Sequence, residues 1–260
     1  MEGIAEQNVA IVESLGVRAA WEVGRALLQS SPRGVDRWRF ARFFGPSSVS
    51  GNSIFAVVDP YRHPLPRAGN RYVKRFLGRR PDGQLIGEDD VLGVNVVRVV
   101  SHVSALFSTH RTDGRSIPIV TDESIAHRWD ATFLCFGSAD SNIKTFDIQS
   151  LPQQSLYQWG FGPDGARCIT VGNRTFSNTG NIDYGLLLRL RNPHHSEHWL
   201  FVCAGLGEWG TSGSAYFLFD RWRSLYKRHA DAEFLKIIAV QRGSDESAHE
   251  EHSVERTGSA

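Results

Sequence analysis

The chain has 260 residues, a formal net charge of +1 at pH 7, 41% hydrophobic residues and 22% charged residues. These values are ordinary for a globular protein, and the length allows one large domain with a substantial core. The longest apolar runs, at 185–188 and 200–204, are far shorter than the roughly 20 residues of a membrane-spanning helix, so a membrane protein is excluded. The three cysteines cannot all pair and none lies in a C-x-x-C spacing, which predicts reduced thiols and a cytoplasmic protein.

Charge is distributed unevenly along the sequence. Between residues 33 and 80 there are eleven basic residues and two acidic ones, whereas 241–260 has five acidic residues and two arginines. The basic stretch favours a partner that bears phosphate or carboxylate groups, with a solvated protein face as the alternative. Nucleic-acid binding is a further hypothesis, because six aromatic residues are interleaved with the basic ones: Trp38, Phe40, Phe43, Phe44, Tyr61 and Tyr72.

The spacing of apolar residues predicts the elements in chain order. An amphipathic helix at 4–28 ends before Pro32, so residues 1–32 are predicted as an N-terminal helical segment. A strand at 53–59 precedes a proline-rich, basic loop to about residue 87, and a helix follows over 89–106, for part of which a strand is the alternative. Further strands are predicted at 117–120, 131–136, 168–171, 184–191, 198–204 and 234–240, with helices at 143–148 and 211–229. Residues 241–260 are predicted to be a disordered acidic tail.

This order of elements predicts one α/β domain over 33–240. Strands that alternate with helices indicate a Rossmann-like three-layer sandwich with a mainly parallel sheet. The stretch 150–200 has few helix signals, which predicts an inserted antiparallel hairpin. Ligands of open α/β sheets bind outside the carboxyl ends of the strands. We therefore expect a site where the strand ends near Asp59, Thr121, Gly137 and Gly205 converge.

A glycine loop follows the predicted strand at 198–204. Its glycines have the G-x-G-x-x-G spacing and a helix follows them, which fits an anion at a helix N-terminus. The next strand ends in Val240-Gln241-Arg242, where a dinucleotide-binding dehydrogenase would place an acid, so that class is not predicted. Trp209 either stacks on a ligand ring or covers the helix end. The predicted ligand contacts in this loop are Gly205, Gly207, Trp209, Gly210 and Thr211.

A second loop of small polar residues follows the predicted strand at 131–136. Its residues allow a tight turn and offer hydrogen bonds to ribose or phosphate oxygens, and a lysine beyond it adds positive charge. The alternative is that Ser138 or Asp140 only caps the next helix. The predicted ligand contacts here are Gly137, Ser138, Asp140, Ser141, Asn142 and Lys144.

Glu208 and Asp183 are the predicted catalytic residues if the ligand is hydrolysed, and Asp122 is a further acidic candidate. A solvated surface position is the alternative for Glu208. Arg189 and Arg191 alternate along one predicted strand, which fits either ligand orientation or an edge strand. The histidine-rich turn at 194–198 lacks a second ligand cluster, so no metal site is predicted.

The segments Phe-Gly-Ser-Ala-Asp-Ser-Asn at 136–142, Asp-Tyr-Gly-Leu at 183–186 and Ala-Gly-Leu-Gly-Glu-Trp-Gly-Thr at 204–211 are similar in character to known domains. They resemble Rossmann-like nucleotide-sensing or effector domains, TIR-like and SLOG-like, of bacterial immune and signalling systems. The resemblance covers about 53–240 and lies in loop style and strand order. It implies binding of a nucleotide, NAD or a nucleotide-derived signal, with or without hydrolysis.

The predicted function is therefore a sensor or effector module that binds a phosphate-bearing nucleotide-type molecule. An enzyme that hydrolyses NAD or a nucleotide at the same site is the first alternative, and nucleic-acid binding through residues 33–80 is the second. A nucleotide or NAD is expected as ligand or substrate, with no other cofactor assigned. Membership of a larger assembly or a homo-oligomer is left open.

Overall fold

The computed structural model describes residues 32–58, 76–79, 85–87, 93–152, 154–163 and 165–256. The predicted helix at 4–28 and most of the predicted loop after residue 58 lie outside this range. The elements within it are α1 (Pro32–Phe44), β1 (Ile54–Val58), β2 (Phe76–Arg79), β3 (Leu85–Gly87), α2 (Val94–His110), β4 (Ile119–Thr121), β5 (Thr132–Phe136), α3 (Ile143–Gln149), β6 (Gln158–Phe161), β7 (Arg167–Val171), β8 (Arg174–Ser177), β9 (Ile182–Arg191), β10 (Trp199–Gly205), α4 (Glu208–His229), β11 (Glu233–Gln241) and β12 (His249–Arg256).

A seven-stranded mixed sheet organises the fold, in the order β12-β11-β9-β10-β5-β1-β4. The four strands β4, β1, β5 and β10 are parallel to one another. From β10 onward the pairing is antiparallel, with β9 beside β10, β11 beside β9 and β12 beside β11. The predicted α/β class is confirmed, and the sheet is parallel on one side and antiparallel on the other.

Two smaller sheets are formed by segments inserted between elements of the main domain. β6, β7 and β8 form a three-stranded antiparallel sheet between α3 and β9, where an inserted hairpin was predicted. β2 and β3 form an antiparallel pair between β1 and α2. The insertion explains why the stretch 150–200 carries so few helix signals: it consists of short strands and turns.

The side chains of the main sheet alternate between two cores, as the period of two along a strand requires. Along β1, Ile54, Ala56 and Val58 face the core that includes buried residues of α1, α2 and α4. Val57 faces the opposite core, which includes buried residues of α3, β7 and β8. The strands near the centre are buried on both faces, which is why their sequences are almost continuously apolar.

The strands predicted at 53–59, 117–120, 131–136, 168–171, 184–191, 198–204 and 234–240 correspond to β1, β4, β5, β7, β9, β10 and β11. A helix, and not a strand, occupies the β-branched stretch before residue 110, because Val96, Val99, Val103 and Phe107 share one buried face. The sequence does not predict the helix α1, because the dense basic residues of this segment conceal its helical pattern.

The prediction of a disordered tail over 241–260 is wrong for the residues that form β12. This strand pairs with β11 from Glu233 to Ala239. Its charged residues have specific partners: the buried Lys236 donates to Glu250 Oε2 and Ser253 Oγ, both at 2.9 Å. His229 Nδ1 lies 2.5 Å from Glu255 Oε2. The polar, charged composition of this segment predicts disorder. In the structure its charged side chains pair with residues of the folded domain and so stabilise the strand.

Candidate functional site

The carboxyl ends of β4, β1, β5 and β10 lie at one edge of the sheet, because the four strands are parallel. The two predicted loops leave β5 and β10 at this edge, which we call the carboxyl edge. The backbone N–H of Gly137 donates to the carbonyl of Cys203 at 3.0 Å. The structure therefore brings the loops at 137–142 and 205–210 side by side.

The chain changes direction between β1 and β5 at this edge. β4 lies on one side of β1 and β5 on the other, and the helices α2 and α3 that follow β1 and β5 contribute to opposite cores. Asn142 bridges the two strand ends, since its Nδ2 donates to the carbonyl of Phe136 at 3.1 Å and lies 3.4 Å from that of Val57. Such a switch point is where open α/β sheets bind ligands.

Asn142 is fully buried and also caps α3. Its Oδ1 accepts a hydrogen bond from the backbone N–H of Thr145 at 3.0 Å, and Thr145 Oγ1 donates to the carbonyl of Gly137. Asp122 Oδ2 accepts from the N–H of Ile143 at 2.7 Å, which ties the end of β4 to the same helix. The residue that caps α3 is therefore Asn142, and not Ser138 or Asp140 as the alternative proposed; its polar atoms are engaged within the protein.

In the 137–142 loop Asp140 is exposed and Ser141 is half-buried, whereas Ser138 is buried at 8% exposure. Gly137 has a φ of 118°, a conformation that side-chain-bearing residues rarely adopt. The N–H groups of Ser141 and Asn142 both donate to the carbonyl of Ser138, which closes the turn. Asp140 is exposed and lies 2.8 Å from Arg167 of β7. Ser138, Asp140 and Ser141 thus lie together at the carboxyl edge.

Lys144 lies on the same helix but is completely buried. Its Nζ donates to the carbonyl of Arg128, and it lies 3.6 Å from the ring centroid of Trp129. Burial lowers the pKa of Lys144, although nearby acidic groups oppose the shift. The ammonium anchors α3 to the turn before β5, so the structure does not bring it to the open side of the loop with Asp140.

The glycines of the second loop allow α4 to begin directly against β9. A Cβ atom on Gly205 would lie 2.3 Å from the backbone nitrogen of Thr211. On Gly210 it would lie 2.4 Å from the carbonyl oxygen of Tyr184, and on Gly207 it would lie 2.4 Å from Asp183 Oδ2. The G-x-G-x-x-G spacing therefore has an internal cause, the close approach of a helix to a strand.

Asp183 supplies an anion to the N-terminus of α4 from within the protein. Its side chain is 1% exposed, and Oδ2 accepts a hydrogen bond from the N–H of Gly210 at 3.0 Å. Oδ1 is buried and has no hydrogen-bond partner among the described residues. The helix dipole and the free N–H groups of the first turn favour a carboxylate at this position. Glu208, by contrast, is exposed at the first residue of α4.

A polar cluster that the sequence did not reveal lies beside the first turns of α4. The guanidinium carbon of Arg98 lies 3.9 Å from the ring centroid of Trp209, and Nη2 donates to Ser212 Oγ at 3.2 Å. Ser212 Oγ donates to Asp245 Oδ1 at 2.6 Å. Arg98 Nε and His102 Nε2 lie 3.3 and 3.6 Å from Asp245 Oδ2. Three separate elements supply these residues, and no local motif connects them.

The electrostatics of this cluster favour an ionised Asp245. Burial alone would raise the pKa of its carboxyl group, but the nearby His102 ring, the hydrogen bond from Ser212 and the charge of Arg98 hold the pKa below its usual value. One face of Trp209 carries the Arg98 guanidinium. The indole of Trp209 therefore binds a cation of the protein itself. This contact holds the positive charge of Arg98 near the carboxyl edge.

The basic stretch gives little support to nucleic-acid binding. Phe40, Phe43 and Phe44 are completely buried in the core, so they cannot stack on bases. Asp36 pairs with Arg223, and Arg42 pairs with Asp231. Tyr61 and Tyr72 lie outside the described residues.

Two cavities, of about 270 and 310 Å³, lie away from the predicted loops. The first is at the amino end of β10, and the second lies between α4 and the start of β12. Neither is lined by the predicted ligand-binding residues.

No protein-family model matches this sequence, and no curated protein is similar to it at a significant level. Within the ranges that the structure describes, no helix has both the length and the apolar character needed to cross a membrane.

Proposed function

We propose that this protein is a sensor or effector module with a Rossmann-like α/β architecture that binds a phosphate-bearing nucleotide-type molecule at the carboxyl edge. The observation that carries the proposal is the hydrogen bond from Gly137 N to Cys203 O, because it holds the start of the 137–142 loop against β10, just before the 205–210 loop, beside a switch point of the sheet. The resemblance to bacterial nucleotide-sensing and effector domains supports the same ligand class.

The buried carboxylate of Asp183 determines which way such a ligand is oriented. Asp183 occupies one N–H group of the first turn of α4, and its charge disfavours a phosphate there. The phosphates instead face the turn that follows β5, where Ser138 is 8% exposed and the Ser141 hydroxyl donates to the carbonyl of Ser138 at 3.2 Å. A phosphate oxygen would take the place of that carbonyl as the acceptor for Ser141. Glu208 is exposed at the start of α4 and accepts hydrogen bonds from hydroxyl groups such as those of a ribose.

The exposure of Glu208 also defines the enzymatic alternative. Hydrolysis of NAD or a nucleotide adds water to the sugar carbon as the base leaves, and a carboxylate near the sugar stabilises the positive charge that develops. Of the two predicted catalytic acids, Glu208 is exposed while Asp183 is buried and hydrogen-bonded to the helix. Any turnover is therefore assigned to Glu208.

Thermal unfolding with a panel of ATP, ADP, NAD and ADP-ribose tests the proposal. A ligand at about 100 times its Kd stabilises a folded protein by about 2.7 kcal/mol, which corresponds to a rise in Tm of roughly 5–10 °C for a domain of this size. We expect at least one panel member to raise Tm and Ser141→Ala to reduce the rise. The matched control is Ser108→Ala, at an exposed position on α2.

A second measurement separates binding from turnover. If a stabilising ligand is consumed, Glu208→Gln should abolish consumption while binding persists, and Glu251→Gln on the exposed side of β12 should change neither. A panel that leaves Tm unchanged at millimolar concentrations contradicts the proposed function, and turnover that survives Glu208→Gln removes Glu208 from the chemistry.

A further inference from the structure

The 270 Å³ cavity lies at the edge of the sheet opposite to the carboxyl edge, where β9 ends and β10 begins. We call it the amino-edge cavity. α1 contributes to its wall, together with the turn between α4 and β11. The charged and aromatic residues that line it are Trp38, Arg42, Arg191, Glu197, Trp199 and Asp231.

Arg191 brings to this cavity a positive charge that no carboxylate contacts, although Asp231 and Glu233 attract it from a longer distance. Its guanidinium carbon lies 3.7 Å from the ring centroid of Trp199, and Nη1 donates to the carbonyl of Ser196 at 3.0 Å. No carboxylate of the described residues lies within 4 Å of its guanidinium. Glu233 accepts a hydrogen bond from the backbone N–H of Arg191 and pairs instead with Arg256. Burial lowers the pKa of Arg191, so an anion beside it would relieve the cost of keeping it charged.

A second arginine adds to the positive potential from behind. Arg189 is completely buried, and its guanidinium carbon lies 3.5 Å from the same Trp199 ring centroid. Its Nη atoms donate to the carbonyls of Phe43, Ala230 and Ala232, and none of its contacts in the described part of the chain is to a carboxylate. Two guanidinium groups therefore share one indole without an acidic partner in contact with either.

The opposite wall of the cavity is electrically balanced. Arg42 is held by Asp231, with Nε at 3.3 Å from Oδ1 and Nη2 at 2.5 Å from Oδ2. The guanidinium carbon lies 5.6 Å from the ring centroid of Trp38. Glu197 is 60% exposed at the rim and lies 3.7 Å from His198. Of the two arginines that line the cavity, Arg191 is thus the one that has no carboxylate in contact.

We propose that the amino-edge cavity binds a small organic anion, whose carboxylate or phosphate group pairs with Arg191 and whose apolar ring contacts the tryptophan-lined wall. The proposal is independent of the nucleotide site at the carboxyl edge. A guanidinium with free donors matches planar carboxylate and tetrahedral phosphate groups alike. The volume lies below the roughly 300 Å³ at which pockets for drug-sized ligands begin, so the ligand is smaller than a dinucleotide.

Titrations with benzoate, phenyl phosphate and the neutral benzamide test this site, read by calorimetry and by tryptophan fluorescence. We expect saturable binding of at least one anion, with a Kd below about 10 mM and at least tenfold tighter than that of benzamide. The preference between benzoate and phenyl phosphate identifies the head group. Arg191→Gln should weaken binding at least tenfold, and Arg115→Gln, at an exposed position elsewhere, should not.

A second variant keeps the test decisive if Arg191→Gln is poorly folded. Glu197→Gln removes an exposed negative charge at the rim and should tighten binding of the same anion two- to fivefold. Absence of saturable binding by both anions overturns the proposal. Equal binding of benzamide and benzoate, or no change in affinity with either variant, does so as well.

Discussion

Replacing Gly210 by alanine tests whether close packing explains the glycine loop. In an exposed helix this substitution stabilises by about 1 kcal/mol, because alanine is the better helix former. Here the new Cβ would lie 2.4 Å from the carbonyl oxygen of Tyr184 and 2.9 Å from the Cα of Gly205, and backbone atoms cannot rotate away. Relief to an ordinary 3.4 Å contact requires α4 to retreat by 3.4 − 2.4 = 1.0 Å.

That retreat carries two costs. The hydrogen bond from Gly210 N to Asp183 Oδ2, now 3.0 Å, would lengthen beyond bonding distance, and a hydrogen bond to a charged group contributes about 1.5–3 kcal/mol. Overpacking adds about 1–3 kcal/mol. After subtraction of the propensity gain, we expect Gly210→Ala to lower the free energy of unfolding by about 1.5–5 kcal/mol.

Urea unfolding, followed by tryptophan fluorescence and extrapolated linearly to water, measures this change. The matched control is Ser224→Ala, an exposed position on α4 where we expect a change within about 0.5 kcal/mol. A Gly210→Ala variant as stable as the wild type, or more stable, would refute the steric explanation. The glycine spacing would then have to be explained by the close approach of a ligand.

Three further predictions concern the charges that hold the fold. Arg189→Met should lower the unfolding free energy by about 3–5 kcal/mol in urea, because three carbonyls lose a buried charged donor whose pKa burial lowers to about 9. Glu250→Ala should cost about 1–3 kcal/mol, since the carboxylate is partly exposed, and a double variant with Lys236→Met should recover most of that loss in the same assay. Burial lowers the pKa of His229 despite its contact with Glu255, so the folded state binds fewer protons than the unfolded state and stability should fall as pH drops below about 6.5. His229→Gln should flatten this decline between pH 7.5 and 5.5, and an unchanged slope would exclude His229 as its source.

The central fold follows from local pattern. The strands β1, β5, β10 and β11 are predictable because both faces are buried and their sequences are correspondingly apolar over several residues. Adjacency of the loops at Gly137 and Gly205 follows in turn, since strand ends meet at one edge when strands run parallel.

The contents of the candidate site depend on contacts that local sequence does not encode. Asp183 reaches the N-terminus of a helix that begins 25 residues later in the chain, so no window of sequence shows that the anion position is occupied. The position of Lys144 just after the loop predicts a contact with the ligand. Its side chain instead points to the carbonyl groups of the turn before β5, to which it donates. The ion pair between Arg98 and Asp245 is likewise invisible in the sequence, because the two residues come from distant parts of the chain.

The pairing of β12 with β11 matters for any shortened version of this protein. A chain cut at Gly243, where the composition turns polar, would leave β11 as an outer strand whose residues from Phe234 to Val240 are all buried in the intact protein. A long apolar strand with free backbone groups is a template for intermolecular β-sheet formation. The acidic C-terminal segment thus protects the protein from aggregation by covering that edge, and its removal is expected to reduce solubility.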